Sequence, residues 1–167
     1  MSASPTLPNK FTRGLAKLDT LPAWLARPLR NRLLGGVVPL VGTAKLDFVE
    51  ISPQRLEIRL ANHRKVRNHI GQIHAGAMIL LAETATGFIV GRNLPDDRLP
   101  LIKTITTHFR RRTQGAMTAV ATLTDAQIAL IQQEPKGETL VPVTVTDESG
   151  QPPIECEMLW AWVPKVR

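Results

Sequence analysis

Hydrophobic and polar positions alternate along much of the chain after Gly42, as expected for strands that bury one face. Turns at Ser52-Pro53 and at Asp147-Glu148-Ser149-Gly150 separate neighbouring alternating segments. Between the fourth and fifth segments, residues 125–133 predict a short helix that Asp125 can cap. The alternation predicts six strands: one around Leu46 and Phe48, one over Leu56 to Leu60, and four over 101–112, 116–124, 139–147 and 154–163.

One segment, from Ile73 to Val90, is apolar on every side and carries a single acid, Glu83. A helix with this pattern must be buried, and a membrane span would need about 20 residues without an acid in its middle. We therefore predict a core helix. Six strands and one long enclosed helix indicate an α+β fold, with an antiparallel sheet wrapped around the helix in a domain over residues 42–167.

The N-terminal region, residues 1–41, follows a different pattern. Residues 1–9 are polar and predict a loose tail. From Lys10 to Leu34, leucines recur every three or four positions and are interrupted by Pro22 and Pro28, which predicts two or three short helices. The basic residues among them would allow contact with anionic lipid. Because the prolines break any long amphipathic face, we favour packing on the domain or its partner instead.

The composition narrows the possible functions. The 167 residues suffice for one domain, and 21 basic against 14 acidic residues give a net charge of +7. This charge attracts phosphate-bearing ligands, nucleic acid or anionic membranes. Aromatic residues make up only 4%, too few for stacking on bases, so we expect no nucleic-acid partner. One cysteine, Cys156, excludes an intrachain disulfide, and with no signal-peptide pattern we expect a cytoplasmic protein.

The common hydrolase and metal motifs are missing from the sequence. No G-x-S-x-G motif is present, and Cys156 lies between two glutamates, which disfavours a thiolate. The histidines have no metal-ligand spacing, so we expect no metal; they are His63, His69, His74 and His108.

Glu83 is the informative residue, because a lone carboxylate on an apolar helix must lose solvation. Either an arginine pairs with it across the core, or a cavity uses it. Small residues at the start of the helix leave unpaired backbone N–H groups that can polarise a carbonyl oxygen. His74 and Glu83 are nine residues apart, which separates them by about 13 Å on opposite sides of the helix. Only an antiparallel pair of helices can join them, so we expect an obligate homodimer, possibly a tetramer, with composite sites.

Asn68-x-x-Gly71-x-x-His74-Ala75-Gly76, followed by Glu83 on an apolar helix, resembles the N-x-x-G-x-x-H-G-G segment of hot-dog-fold thioesterases. The resemblance is to the 4-hydroxybenzoyl-CoA and phenylacetyl-CoA type. It extends from Gly42 to Val163, whereas residues 1–41 have no counterpart in the minimal fold. The chain looks closest to an uncharacterised branch of this superfamily.

The resemblance implies a role for each residue of the motif. Glu83 would act as general base or as nucleophile on the thioester, and the N–H of Ala75 or Gly76 would bind the oxyanion. Asn68 and His74 would orient substrate or water. The substrate side would comprise Gly71, Gly87, His108, Arg110, Arg111 and Arg112.

Within that set, His108 would line the acyl pocket, and one or two of the arginines would bind the phosphates of coenzyme A, which enters only as part of the substrate. The chain departs from the family pattern at two positions. It has H-A-G in place of H-G-G, and Gly87 stands where the family often has a Ser or Thr that positions water. Thr84 or Thr86 could substitute for that hydroxyl.

Three functions follow from these observations. The first is an acyl-CoA thioesterase with Glu83 at a dimer interface. The second is a dimer that binds acyl or acyl-CoA ligands without turnover, which the missing hydroxyl would allow. The third is a charge-driven binder of nucleic acid or a membrane surface, which we favour least. The acyl chain length, and the choice between coenzyme A and acyl carrier protein, depend on pocket depth.

Overall fold

The computed structural model describes residues 9–18 and 20–166. Three helices precede the sheet, one long helix follows the second strand, and one short helix lies between the fourth and fifth strands. The helices are α1 (Lys10–Leu18), α2 (Ala23–Val37), α3 (Pro39–Ala44), α4 (Ala75–Asn93) and α5 (Asp125–Gln133). The strands are β1 (Asp47–Ile51), β2 (Arg55–Leu60), β3 (Arg98–Phe109), β4 (Met117–Thr122), β5 (Gly137–Val141), β6 (Val143–Asp147) and β7 (Ile154–Pro164).

The strands form two antiparallel sheets, in the orders β1-β2-β4-β6 and β3-β7-β5. Only Pro142 separates β5 from β6, so this segment crosses from one sheet to the other. The sequence predicted one strand over 139–147 and six strands in all. Seven form because proline has no N–H to donate and interrupts the ladder.

Helix α4 is the core of the domain, and its buried residues are spread around its circumference. By length and composition it is also apolar enough to cross a membrane, but here the sheets pack around it. The predicted core helix and the α+β class are confirmed. Its buried side chains are Met78, Leu81, Ala82, Thr84, Ala85, Thr86, Ile89, Val90 and Asn93.

The start of helix α5 differs from the prediction. Thr124, not Asp125, caps the helix, because its hydroxyl accepts a hydrogen bond from the N–H of Gln127 and the Gln127 side chain bonds back to the Thr124 N–H. This reciprocal capping box satisfies two backbone donors at once, so it outcompetes a single carboxylate cap one residue later.

The N-terminal segment is more ordered than the sequence suggested. Pro28 lies inside α2 without ending it, and Pro39 begins α3. Gly35 and Gly42 let the two helices meet closely, since a Cβ on Gly35 would lie 2.8 Å from the Gly42 Cα. The sequence predicts a loose tail that includes Asn9, but Asn9 is buried, and its amide donates to the carbonyls of Gly91, Arg92 and Leu94. The rest of that predicted tail, residues 1–8, lies outside the described residues.

Candidate active site

A cavity of about 670 Å³ lies between α4, strand β3 and the N-terminal helices. This volume is within the range of ligand sites in proteins. Glu83 lines it near the middle of α4, and Gly91 and Leu94 line it near the C-terminal end of that helix. From residue 83 to residue 94 the helix rises by about 16 Å. The cavity is therefore elongated along α4, with a carboxylate toward one end.

Glu83 forms no ion pair with any of the described residues, and in particular no arginine crosses the core to meet it. Burial raises the pKa of its carboxyl above the ordinary glutamate value, and the neighbouring Thr84 hydroxyl offsets only part of that rise. Of the two outcomes left open by the sequence, the structure shows the carboxylate facing a cavity. Such a carboxylate is a stronger base than an exposed glutamate.

The loop before α4 is held by Asn68. Its side-chain oxygen accepts hydrogen bonds from the N–H groups of Ile70 and Gln72, and Gly71 takes a positive φ of 76° at the turn. The side chain predicted to orient substrate or water therefore shapes the loop that leads into the helix. Gly71 belongs to that turn, and neither residue lines the cavity.

The first turn of α4 is exposed and contains one unoccupied backbone donor. His74 caps the helix, and its Nδ1 accepts a hydrogen bond from the Gly76 N–H at 3.0 Å. Among the described residues, no acceptor binds the Ala75 N–H. Of the two predicted oxyanion donors, Ala75 is the one free to bind a ligand, and the cap fixes its direction.

Gly87 leaves room for an indole ring. A Cβ at this position would lie 2.6 Å and 2.7 Å from two ring carbons of Trp160, which also lines the cavity. The Thr86 hydroxyl accepts a hydrogen bond from Trp160 Nε1 at 2.9 Å and donates to the carbonyls of its own helix. Thr84 is thus the hydroxyl that lies at the cavity beside Glu83.

His108 lies on the outer face of β3, opposite the exposed Glu155, and outside the cavity. A bulge between Ile102 and Thr104 reverses the alternation of the strand. Before it, even-numbered residues face α4; after it, Ile105 and Phe109 do so, opposite the buried Met158 and Ile154. His108 therefore does not line this cavity, and its place in an acyl pocket stays a prediction.

The three arginines after β3 have different environments. Arg110 pairs with Glu155, and Arg111 binds both carboxylate oxygens of the buried Asp147, at 2.8 and 2.9 Å. Burial by itself would raise the pKa of Asp147, but hydrogen bonds from Arg111, Ser149 and the Gln114 N–H outweigh it and hold that pKa well below its ordinary range. Arg111 is therefore a structural residue. Arg112 is exposed and forms no ion pair within residues 9–18 and 20–166.

Comparison with known proteins identifies the family of this chain. The family model described as a domain of unknown function, DUF4442, matches residues 27–163. The chain belongs to the DUF4442 family. No curated protein matches it.

Solved structures resemble this DUF4442 chain over most of its length. A Pseudomonas aeruginosa protein described as a probable thioesterase is 27% identical, with a TM-score of 0.73 over 87% of this chain and 97% of its own. A Haemophilus influenzae thioesterase shares the fold at 15% identity and TM-score 0.64, over 77% of this chain and 85% of its own. A thioesterase family protein of Silicibacter pomeroyi does so at 14% and 0.66, over 81% and 96%. The hot-dog architecture and the resemblance to its thioesterase superfamily are confirmed.

The N-terminal helices of the DUF4442 chain contribute to the site, which the sequence did not predict. Phe11 of α1 contacts the ring of Phe88, and Val37, Val38 and Val41 of α2 and α3 line the cavity. The motif carries no signal for these residues, because they precede it by more than 25 positions and join it only through the fold. The described residues contain no group of three His, Cys, Asp or Glu side chains that could hold a metal ion.

Strand β3 is an edge strand with apolar residues exposed on both faces. Ile102, Ile105 and Phe109 lie on one face of the strand, while Leu99 and Leu101 lie on the other and also reach the cavity at the strand edge. Phe109 is 52% exposed and Leu101 is 50% exposed. A long apolar edge strand is a template for pairing with another strand.

Proposed function

We propose that this protein is a dimeric acyl-CoA thioesterase that uses Glu83 as its general base. The single observation that carries the proposal is that Glu83, without an ion-pair partner among the described residues, lines an elongated and largely apolar cavity on a thioesterase-like fold. A carboxylate in such a place costs stability, because burial disfavours its charged form, and groups perturbed in this way cluster at functional sites.

The proposed reaction places the acyl chain along α4 and the thioester carbonyl beside Glu83. The Glu83 carboxylate takes a proton from water, and the water oxygen attacks the carbonyl carbon. Thr84 lies next to Glu83 at the cavity, and its buried hydroxyl favours the charged carboxylate that takes this proton. As the C–S bond breaks, the electron pair leaves with sulfur, which takes up the proton that Glu83 received from water; the products are the free acid and a thiol, and Glu83 is again a carboxylate.

The oxyanion requires a donor that one protomer cannot supply near Glu83. The free Ala75 N–H lies eight residues before Glu83, about 12 Å along the same helix. We propose that a second copy pairs along the edge strand β3, covering Ile102, Ile105 and Phe109 and bringing its own Ala75 N–H to the carbonyl oxygen. Two equivalent composite sites result from the two-fold symmetry.

A second candidate is binding of the acyl-CoA without turnover. Gly87 is the observation that favours it, because Trp160 fills the space where the family often carries a water-positioning hydroxyl. A binder would be stabilised against heat by acyl-CoA while releasing no thiol.

The decisive measurement is thiol release from short, medium, long and aromatic acyl-CoA substrates by wild type, Glu83→Gln and Glu83→Ala. We expect both variants to lose at least about a hundredfold in kcat/KM, the scale of a general base. Glu157→Gln is the matched control, since this exposed glutamate lies on β7 away from the cavity. Turnover that is unchanged in both Glu83 variants would exclude Glu83 as the base.

Subunit complementation tests the composite site. Glu83→Gln removes the base, and Ala75→Pro removes the N–H donor. Either substitution should inactivate both sites when both subunits of the dimer carry it. In a mixed dimer, one site receives both defects and the other receives neither. Mixing the two variants after dissociation should therefore restore activity toward half the wild-type value per mixed dimer. Failure to restore any activity, with mixed dimers present, would exclude a site shared between subunits.

A further inference from the structure

Helix α2 has an apolar outer stripe that no described part of the chain covers. Leu29, Leu33 and Val37 follow at four-residue spacing, and Leu40 of α3 is the next exposed large apolar residue along the chain. Val37 is 65% exposed and Leu40 is 60% exposed, while Ala26 and Leu34 of the same helix are buried against the domain. We call these four residues the α2–α3 stripe. The sequence favoured a packed segment because Pro28 should break the helix, but α2 continues through it and leaves one face outside.

The N-terminal segment that carries this stripe is strongly basic. Residues 10–45 contain seven of the 21 basic residues and one of the 14 acidic residues, so they carry nearly all of the net charge of +7. Arg32 lies directly beside Leu29 and Leu33 in a shallow groove on the outer face. Two other arginines, Arg13 and Arg27, are held in ion pairs with Asp96 and Asp47. Apolar side chains beside an excess of cations match the surface of an anionic bilayer.

The stripe also leads to the cavity. Val37 belongs both to the outer groove and to the cavity wall, which Val38 and Val41 continue. The close contact of Gly35 with Gly42 fixes α3 against α2, so that the stripe and this part of the cavity wall belong to one packed unit. A surface lying against the stripe would therefore lie beside the cavity wall at Val37.

We propose that the α2–α3 stripe docks on anionic membrane surfaces, with Leu29, Leu33, Val37 and Leu40 inserted among the lipids and Arg32 at the headgroups. The docked protein holds the cavity wall at Val37 against the bilayer. The docking does not depend on hydrolysis, so it is measured without acyl-CoA and can fail independently of the proposed thioesterase activity.

The test is flotation of the full-length protein with phosphatidylcholine vesicles that do or do not contain phosphatidylglycerol. We expect binding only to the anionic vesicles, and a steep decrease as salt rises. Leu33→Glu and Arg32→Glu should each lower vesicle partitioning by about tenfold or more, because each places a negative charge at the lipid contact. Leu140→Glu is the matched control, since this leucine is similarly exposed on β5, away from the stripe.

Fluorescence identifies the inserted face. Trp160 and Trp162 are buried, and Trp24 is exposed at the other flank of α2. In a Trp24→Phe background, the emission maximum of the tryptophan introduced by Leu33→Trp should shift to shorter wavelength on anionic vesicles. The emission of Trp24 in the wild type should not shift.

Four results would overturn the proposal. Three concern the membrane: no vesicle binding at low salt, equal loss of binding in Leu140→Glu, or an unshifted Leu33→Trp probe on bound protein. The fourth is a dimer that becomes monomeric with Leu33→Glu, because the stripe would then be covered by a second copy.

Discussion

Substitution of Gly87 tests whether helix propensity or packing against Trp160 determines stability at this position. In a helix interior, Gly→Ala ordinarily gains about 0.5–1 kcal/mol, because alanine loses less conformational entropy on folding. Family resemblance would further suggest that a serine here restores a missing catalytic hydroxyl. The structure predicts instead that both substitutions lower the stability of the fold. A Cβ at residue 87 would lie 2.6 Å from a ring carbon of Trp160.

The size of the effect follows from the geometry. Ordinary van der Waals contact between carbons is about 3.5–4.0 Å, so the indole would have to move by about 1 Å. Trp160 has little freedom to move, because it is buried and its Nε1 donates to Thr86. Overpacking of this kind costs about 1–3 kcal/mol, which exceeds the helix-propensity gain. We expect Gly87→Ala to lower Tm, by about 2–4 °C for each kcal/mol in a chain of this size.

The assay is thermal unfolding of Gly87→Ala and Gly87→Ser, followed by thiol release under conditions where both are folded. Gly14→Ala is the matched control: this glycine is also helical, nothing lies within 4 Å of a Cβ placed there, and its substitution should raise stability. A second change, Trp160→Phe, should recover part of the loss in Gly87→Ala, because the smaller ring leaves space for the methyl group. If Gly87→Ala is as stabilising as Gly14→Ala, the proposed contact with Trp160 is wrong.

Two further predictions concern ionisable groups. Because burial raises the pKa of Glu83, the fold favours the protonated form and loses stability as pH rises above the ordinary glutamate range. Glu83→Gln should therefore raise Tm at pH 8, and this gain should fade toward pH 4. A change in Tm that is independent of pH would contradict the raised pKa. Asp147 behaves in the opposite sense, since its pKa is lowered and its stabilisation is present at neutral pH and lost on acidification. Asp147→Asn should lower the free energy of unfolding by about 3 kcal/mol at pH 7, the low end for breaking a buried ion pair, because Arg111 is partly exposed. The difference in Tm between this variant and wild type should shrink below about pH 4. Equal Tm values at pH 7 would show that the Arg111 pair contributes nothing.

Local patterns in the sequence predicted the helices and strands well. They failed where one residue interrupts a strand or reverses its alternation, and where a distant segment packs against the site. Alternation placed β3 correctly, but it could not reveal the bulge near Lys103 that turns His108 outward. Pro142 divides a predicted strand for a reason visible in the sequence, its missing N–H. The burial of Asn9 has no local signal, because its three acceptors are carbonyls more than 80 residues away.

The same distinction applies to the candidate site. The motif identified Glu83 and the N-terminal end of α4, since spacing along one helix is a local property. Whether that carboxylate is reactive depends instead on what surrounds it, and its surroundings come from α1, α2, α3 and β3. Burial raises its pKa, and Phe11, Val37 and Val38 of the N-terminal segment, which the minimal fold does not require, line the same cavity. The segment therefore helps to set the shape of that cavity. A chain with the same motif and a different N-terminal segment would present the same carboxylate to a different pocket.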